Sequence, residues 1–86
     1  MLSLEARQDL LRRLRKIEGQ TQGIQRMVEE GRECVDILNQ LASVRAATRR
    51  VSMELMRYHL MACLSKPDCL NSEQVVDDML NLLTRA

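Results

Sequence analysis

The fold is decided by one uninterrupted stretch, residues 34–64, which reads CVDILNQLASVRAATRRVSMELMRYHLMACL. It contains no Gly or Pro, and its apolar and small side chains recur at helical spacing, at Leu38, Leu41, Val44, Val51, Leu55 and Ala62. Such spacing places these side chains along one side of an α-helix. The sequence therefore predicts one long helix over residues 34–64, the central element of an all-α fold.

Three side chains of this helix are candidate metal ligands. His59 and Cys63 are four residues apart, so both can reach one ion. Cys34 lies 25 residues before His59; at about 100° per residue it returns to within about 20° of the same face, but about 37 Å away along the axis. One chain cannot bring the three together, whereas an antiparallel copy of the helix would place its Cys34 beside His59 and Cys63.

Such a pair of helices predicts a closed, isologous dimer with two equivalent sites. Its two-fold axis would pass near residues 46–48, whose small side chains let two backbones approach. Thiolates and imidazole suit soft or borderline metals. Two thiolates and one nitrogen, without an evident fourth ligand, favour Cu(I); Zn, Ni and Co are less favoured. Taken alone, a His four residues before a Cys is more often a core or surface pair, and the phase of Cys34 is what favours a metal.

The remaining sulfur-containing side chains are not predicted to be metal ligands. Met53, Met56 and Met61 are predicted to be core residues rather than additional ligands, because they point up to half a turn away from His59. Cys69 follows Pro67, outside the helical register, and is interpreted as a bystander thiol. Three cysteines are an odd number, which favours thiols or ligands in a reducing compartment over a disulfide framework.

Length and composition bound the rest of the fold. With 86 residues, 45% of them hydrophobic and one of them aromatic, the chain is predicted to be a single helical domain, residues 1–86. Oligomerisation would add buried area. No apolar run approaches the ~20 residues of a membrane span, and no signal peptide is evident, which predicts a cytoplasmic protein without a membrane partner.

A first helix is predicted to begin after Ser3, as its N-cap, and to end at Gly31. A second helix starting near Arg32 would then fold back on it as an antiparallel hairpin. Gly19 and Gly23 lie inside the first helix, where they favour close packing against another helix. Its predicted buried stripe consists of Leu10, Leu14, Ile17, Ile24, Met27 and Val28.

A short third helix is predicted after the break at Pro67, opened by a capping box of Asn71 and Gln74. Its apolar face consists of Val76, Met79, Leu80 and Leu83. The first helix also carries a basic cluster, Arg12, Arg13, Arg15 and Lys16, which is either a solvated face or a surface for an anionic partner. No catalytic constellation is evident, so an enzyme is not predicted.

Four segments resemble the CsoR/RcnR/FrmR family of bacterial repressors: LRKIEGQ at residues 14–20, the context of Cys34, QLASVRAA at residues 40–47 and HLMAC at residues 59–63. The resemblance implies a three-helix subunit, a dimer that forms a four-helix bundle, and a homotetramer made of two dimers. It implies a repressor that binds operator DNA and is released by an inducer bound between subunits. By position Arg13, Arg15, Lys16, Arg49 and Arg50 match DNA-contact positions; with Arg12 they form the predicted DNA-binding set.

The same resemblance identifies Cys34, His59 and Cys63 with the copper-sensing pattern, so Cu(I) is the expected inducer. Glu33 and Met79 stand where copper sensors of the family usually have a Tyr and a Glu. The alternative within the family is a thiol-based sensor of persulfide or formaldehyde that acts through Cys34. The alternative of another class is a small helical metal-binding or interaction module without a role on DNA.

Overall fold

The computed structural model describes residues 2–63 and 73–85, which form three α-helices and no strand. They are α1 (Leu4–Glu29), α2 (Cys34–Cys63) and α3 (Glu73–Thr84). The all-α prediction and the unbroken central helix are confirmed. Among the described helices, none has the length and apolar character needed to cross a membrane. Four predicted features, the helix break at Pro67, the Asn71 cap, Cys69 and Leu64, lie outside the described residues.

The predicted ends of α1 are confirmed by their hydrogen bonds. Ser3 Oγ accepts a bond from the backbone N–H of Ala6 at 3.1 Å, which satisfies one donor of the first turn. At the other end Gly31 adopts a positive φ of 68° and donates to the carbonyl of Val28. The N–H of Arg32 donates to the carbonyl of Met27 at 3.0 Å, which completes a Schellman motif. Because Arg32 is used in this cap, α2 begins two residues later than predicted, at Cys34.

Replacing Gly31 with alanine should lower the free energy of unfolding by about 1 kcal/mol or more, because a side chain at positive φ is strained. Thermal or urea unfolding measures the change. Gly19→Ala is the matched control, since an added Cβ there meets nothing within 4 Å and the residue is helical, so stability should rise instead. Equal effects at the two positions would contradict the assigned role of Gly31.

Helices α1 and α2 form the predicted antiparallel hairpin. Near the start of α1, Asp9 contacts Tyr58 of α2, whereas further along α1, Gln20 shares a surface depression with Ala47. Higher numbers on α1 therefore meet lower numbers on α2. The molecule measures 53 × 26 × 12 Å, and its thinnest dimension is close to the diameter of a single helix, about 10–12 Å. Each helix consequently has neighbours on only part of its circumference.

The predicted core is only partly formed within one chain. Among the described side chains the buried apolar ones are Ala6, Leu10, Ile24 and Cys63. The prediction is wrong for Leu14 and Val28, which are 46% and 60% exposed, because α2 covers only one side of α1. Other side chains predicted to be apolar contacts or core are also exposed, because each helix has neighbours on only part of its circumference. They are Leu38, Leu41, Met53, Leu55, Met61 and Leu80.

The expected close packing at the glycines of α1 is wrong within the chain. A Cβ at Gly19 would meet nothing within 4 Å, and one at Gly23 would meet only Arg26 Nη2 at 3.8 Å, an ordinary contact on the same helix. Helix α1 nevertheless continues through both positions without a break. Neither glycine is therefore required by the packing of α1 on α2.

Candidate metal and nucleic-acid sites

His59 and Cys63 come together on the last two turns of α2. The distance between His59 Nε2 and Cys63 Sγ is 3.6 Å. Cys63 is 6% exposed, while His59 is half-buried and lines an apolar depression of about 540 Å³ with Leu55, Met56 and α3 residue Met79. A soft donor and a borderline donor thus lie side by side at the edge of an apolar surface, as the one-turn spacing predicts.

Cys34 is at the other end of the same helix. It is a free, exposed cysteine at the first residue of α2. Because α2 is unbroken from Cys34 to Cys63, a rise of about 1.5 Å per residue separates Cys34 from His59 by about 37 Å. Within residues 2–63 and 73–85 no three His, Cys, Asp or Glu side chains converge as a metal site would require. A single chain therefore presents two candidate ligands at one end of α2 and one at the other.

The geometry of the His59–Cys63 pair suits a shared metal ion. Bonds of about 2.3 Å to sulfur and about 2.0 Å to nitrogen, at an angle of about 110–120°, place the two donor atoms about 3.5–3.7 Å apart. The observed separation is 3.6 Å. Cys63 is disulfide-bonded in the structure, so it becomes a thiolate ligand only after reduction. The donor set fits a thiophilic metal in the reduced protein.

Basic side chains from both long helices meet in a second depression. This basic depression, about 280 Å³ in volume, is lined by Arg12, Arg13, Lys16, Ile17, Gln20, Ala47 and Arg50. Four of the six residues predicted to contact DNA therefore share one surface. The hairpin brings Arg50, more than thirty residues away in sequence, beside the cluster on α1. The result is a concentrated positive surface, the kind that attracts phosphate.

The other two predicted residues lie elsewhere. Arg49 lines a separate depression on α2, with Leu38, Leu41, Ala42, Arg45 and Ala46. Consecutive helical residues point about 100° apart, which is why Arg49 and Arg50 face different sides of α2. Arg15 is exposed and does not line the basic depression. The predicted set is thus divided between surfaces.

A polar network that the sequence analysis missed links two arginines of the basic depression, through Asp9, to α2. Asp9 Oδ1 accepts from Arg12 Nη2 at 2.6 Å, and Asp9 Oδ2 accepts from Arg13 Nε at 3.2 Å. The same Oδ2 accepts from the hydroxyl of Tyr58 on α2 at 2.8 Å. The i+3 and i+4 spacing of the two arginines was visible in the sequence. The partner on α2 was not, because no sequence pattern links positions 49 residues apart.

A second part of the network continues along α2. Arg57 lies over the ring of Tyr58, 4.6 Å from its centroid. Arg57 Nη2 donates to Glu54 Oε2 at 2.8 Å, and Arg50 Nε donates to Glu54 Oε1 at 3.2 Å. Arg57, followed by Arg50, lowers the pKa of Glu54. Each long helix therefore has one carboxylate that binds two arginines, Asp9 on α1 and Glu54 on α2. Three of these four arginines line the basic depression, and Arg57 does not.

These contacts predict an acid-sensitive contribution to stability from Asp9. The Tyr58 hydroxyl, with further help from Arg12 and Arg13, lowers the pKa of Asp9 from 3.8 to about 2. Because folding lowers this pKa, the ionised carboxylate stabilises the fold fully above pH 3.8, and its contribution is lost as the pH falls toward about 2. The Tm advantage of the wild type over Asp9→Asn should therefore be present at pH 5 and shrink steadily toward pH 2.

Circular dichroism melts of both proteins across this range measure the advantage. Asp77→Asn, which removes an exposed carboxylate of α3, controls for the general loss of one negative charge. A wild-type advantage that stays constant down to pH 2 would show that Asp9 does not stabilise the fold through its charge.

Comparison with known proteins identifies the family of the chain. Residues 6–85 match the family model described as metal-sensitive transcriptional repressor. The copper-sensing transcriptional repressor CsoR of Bacillus subtilis is 37% identical over 86 residues, which cover 96% of this chain and 83% of that protein. The copper-sensing transcriptional repressor RicR of Mycobacterium tuberculosis is 44% identical over 55 residues, 64% of this chain and 57% of that protein.

Two solved structures share the fold. The copper-sensing repressor CsoR with Cu(I) from Geobacillus thermodenitrificans superimposes with a TM-score of 0.77 at 36% identity, covering 96% of this chain and 88% of that one. The nickel-responsive transcriptional regulator InrS gives a TM-score of 0.71 at 34% identity, covering 96% and 91%. The family consists of transcriptional repressors, not enzymes. The chain belongs to the family of metal-sensitive transcriptional repressors.

Proposed function

We propose that this repressor responds to Cu(I), bound by Cys34 of one subunit together with His59 and Cys63 of another. The observation that carries the proposal is the pair of donor atoms 3.6 Å apart on the same unbroken helix as an exposed cysteine of matching phase. Antiparallel pairing of two α2 helices would complete two equivalent sites. Cys34 is a free, exposed thiol and can enter such a site directly, whereas Cys63 would first have to be released from its disulfide by reduction.

The face of α2 that carries the three ligands supports a homodimer. By helical phase, Leu41, Arg45 and Ser52 lie on this face, between Cys34 and His59. They line two surface depressions of about 490 and 540 Å³. Leu38, Leu41 and Leu55, all more than 40% exposed, border the same surface. A second α2 would cover this apolar area, forming a four-helix bundle, and two such dimers would form the proposed homotetramer.

The donor set favours copper among the metals that relatives sense. Two soft thiolates and one borderline imidazole are ligands that Cu(I) accepts at low coordination number. CsoR and RicR are copper-sensing, whereas InrS is nickel-responsive. His59 is the single histidine of the chain, so a nitrogen-rich site of the kind that nickel accepts would lack further imidazoles. Reduced thiols persist in the cytoplasm, which is where we place the repressor.

The basic depression is the proposed surface for operator DNA. Arg12, Arg13, Lys16 and Arg50 would contact phosphates, with Arg15 and Arg49 on neighbouring surfaces as further contacts. Neutralising phosphates releases counterions, so operator affinity should fall steeply with salt concentration. Inducer binding between subunits then needs only to favour an arrangement in which these surfaces no longer match DNA. A coupling free energy of about 1–3 kcal/mol is typical of such systems.

Anaerobic titration of the reduced protein with Cu(I) tests the proposal. X-ray absorption and binding to DNA from upstream of its own gene are measured on the same samples. One copper per chain, bound by two sulfurs and one nitrogen, with simultaneous loss of DNA affinity, is the expected result. Tight copper binding that leaves DNA affinity unchanged would show that another signal releases the repressor.

A thiol-based sensor of persulfide or formaldehyde is the second candidate. The exposed, free thiol of Cys34 favours it, because such a thiol can be reached by a small electrophile. This sensor would require Cys34 but not His59. The family match removes the third alternative, a helical module without a role in transcription.

A further inference from the structure

The hydroxyl of Tyr58 links the end of α2 that carries His59 and Cys63 to the start of α1. It donates to Asp9 Oδ2 at 2.8 Å, across 49 residues of sequence. Tyr58 directly precedes His59 on the same helical turn, and it is half-buried. A displacement of His59 by a bound ion would therefore carry Tyr58 with it, because neighbouring residues of a helix move as one unit.

Asp9 holds two arginines of the basic depression. Its carboxylate, 15% exposed, accepts from Arg12 Nη2 at 2.6 Å and from Arg13 Nε at 3.2 and 3.3 Å. A carboxylate beside a surface that binds phosphate weakens the attraction unless it fixes the cations in a useful arrangement. Charge-assisted bonds to two guanidinium groups give it that capacity. Arg12, whose side chain is 75% exposed, would otherwise sample many conformations.

A parallel connection runs through the ring of Tyr58. Arg57 stacks on that ring and donates to Glu54, and Glu54 also accepts from Arg50, which lines the basic depression. Tyr58 thus contacts Asp9 directly and is connected to Glu54 through Arg57. It links the arginines of α2 to the arginines of α1.

We propose that Tyr58 and Asp9 are positioning residues that transmit occupancy at His59 to the DNA-binding arginines Arg12 and Arg13. The inference rests on the proposed function. With the site empty, the Tyr58–Asp9 bond is formed and the two arginines are held for phosphate. With the inducer bound, α2 shifts at His59, the hydroxyl leaves Asp9 and the arginines lose their common arrangement. Neither residue touches the metal or is required to touch DNA.

Tyr58→Phe tests the transmission, because it keeps the ring and its stacking with Arg57 while removing the hydroxyl. Operator Kd is measured with and without Cu(I) for the reduced tetramer. We expect the variant to bind the operator at least about fivefold more weakly without copper and to change little with copper, so that the ratio of the two Kd values shrinks. Copper coordination by two sulfurs and one nitrogen should stay as in the wild type, and the thermal midpoint should fall by no more than that of Asp9→Asn at the same pH, since only one of the bonds to Asp9 is lost.

Asp9→Asn should shrink the ratio in the same way, since the amide accepts more weakly from both arginines. Thr84→Val is the matched control: it deletes a hydroxyl whose bond, among the described residues, is to the carbonyl of Asn81 within α3. A Tyr58→Phe ratio equal to that of the wild type would overturn the inference while leaving the proposed function intact. So would a Tyr58→Phe protein that has lost its copper coordination. A wild type whose Kd ignores copper would overturn the proposed function itself, and the inference with it.

Discussion

Replacing His59 with alanine should leave operator binding without metal intact and remove its response to Cu(I). The imidazole Nε2 lies 3.6 Å from Cys63 Sγ, so the two are neighbouring candidate donors on one chain. Losing an outer partner of a ligand already costs about 10–100-fold in metal affinity, and losing a ligand should cost more. Operator binding in the presence of buffered Cu(I) measures the effect, with the expected Kd equal to that of the metal-free protein.

Ser52→Ala is the matched control for this variant. Ser52 lines the same apolar depression as His59, seven residues earlier on the same face of α2, but it offers no soft donor. It should respond to Cu(I) like the wild type. A His59→Ala protein that is still released by Cu(I) would exclude the imidazole from the site. Release of that variant by a persulfide would instead favour the thiol-based sensor, for which Cys34 is sufficient.

The ends of the helices could be predicted because they depend on local chemistry. Ser3 and Gly31 act within four residues of their own positions, through a side-chain acceptor and a positive φ. Burial could not be predicted in the same way. Leu14 and Val28 belong to a regular apolar stripe, yet they are exposed in the single chain, because periodicity identifies an apolar face without identifying what covers it.

The candidate metal site shows the same division between local and distant information. The one-turn spacing of His59 and Cys63 was sufficient to predict their proximity. The phase of Cys34 predicts a shared face, and the continuous α2 confirms the helix on which that argument rests, whereas the pairing of two chains stays a prediction. The bond from Tyr58 to Asp9 was invisible in the sequence because it depends on the register of α1 against α2.

The DNA-binding set was predicted from charge and resemblance, neither of which specifies direction. Arg12, Arg13, Lys16 and Arg50 share one depression, whereas Arg49 lies in another. We therefore expect Arg49 and Arg50, although adjacent in sequence, to contribute differently to DNA binding. Only the rotation of α2, fixed by its packing on α1, distinguishes them.

Neutralising Lys16 and Arg50 together should weaken operator binding and flatten its salt dependence. One side chain comes from each long helix, and both line the basic depression. Each phosphate contact contributes about 0.9 to the slope of log Kobs against log salt concentration. A Lys16→Gln, Arg50→Gln double variant should therefore lose about 0.9 of slope for every contact removed, multiplied over the subunits that touch DNA. Titrations at four or more salt concentrations measure the slope.

Arg26→Gln, Arg85→Gln makes the same change in net charge away from the depression, at the last turn of α1 and beyond the end of α3. This control should shift affinity only modestly and keep the wild-type slope, because charges beyond a Debye length of about 8–10 Å are largely screened. Equal losses in the two double variants would mean that net charge, not a defined surface, binds the operator. The single variants Arg50→Gln and Arg49→Gln then refine the result: the first should cost more, since Arg50 lines the basic depression and Arg49 does not.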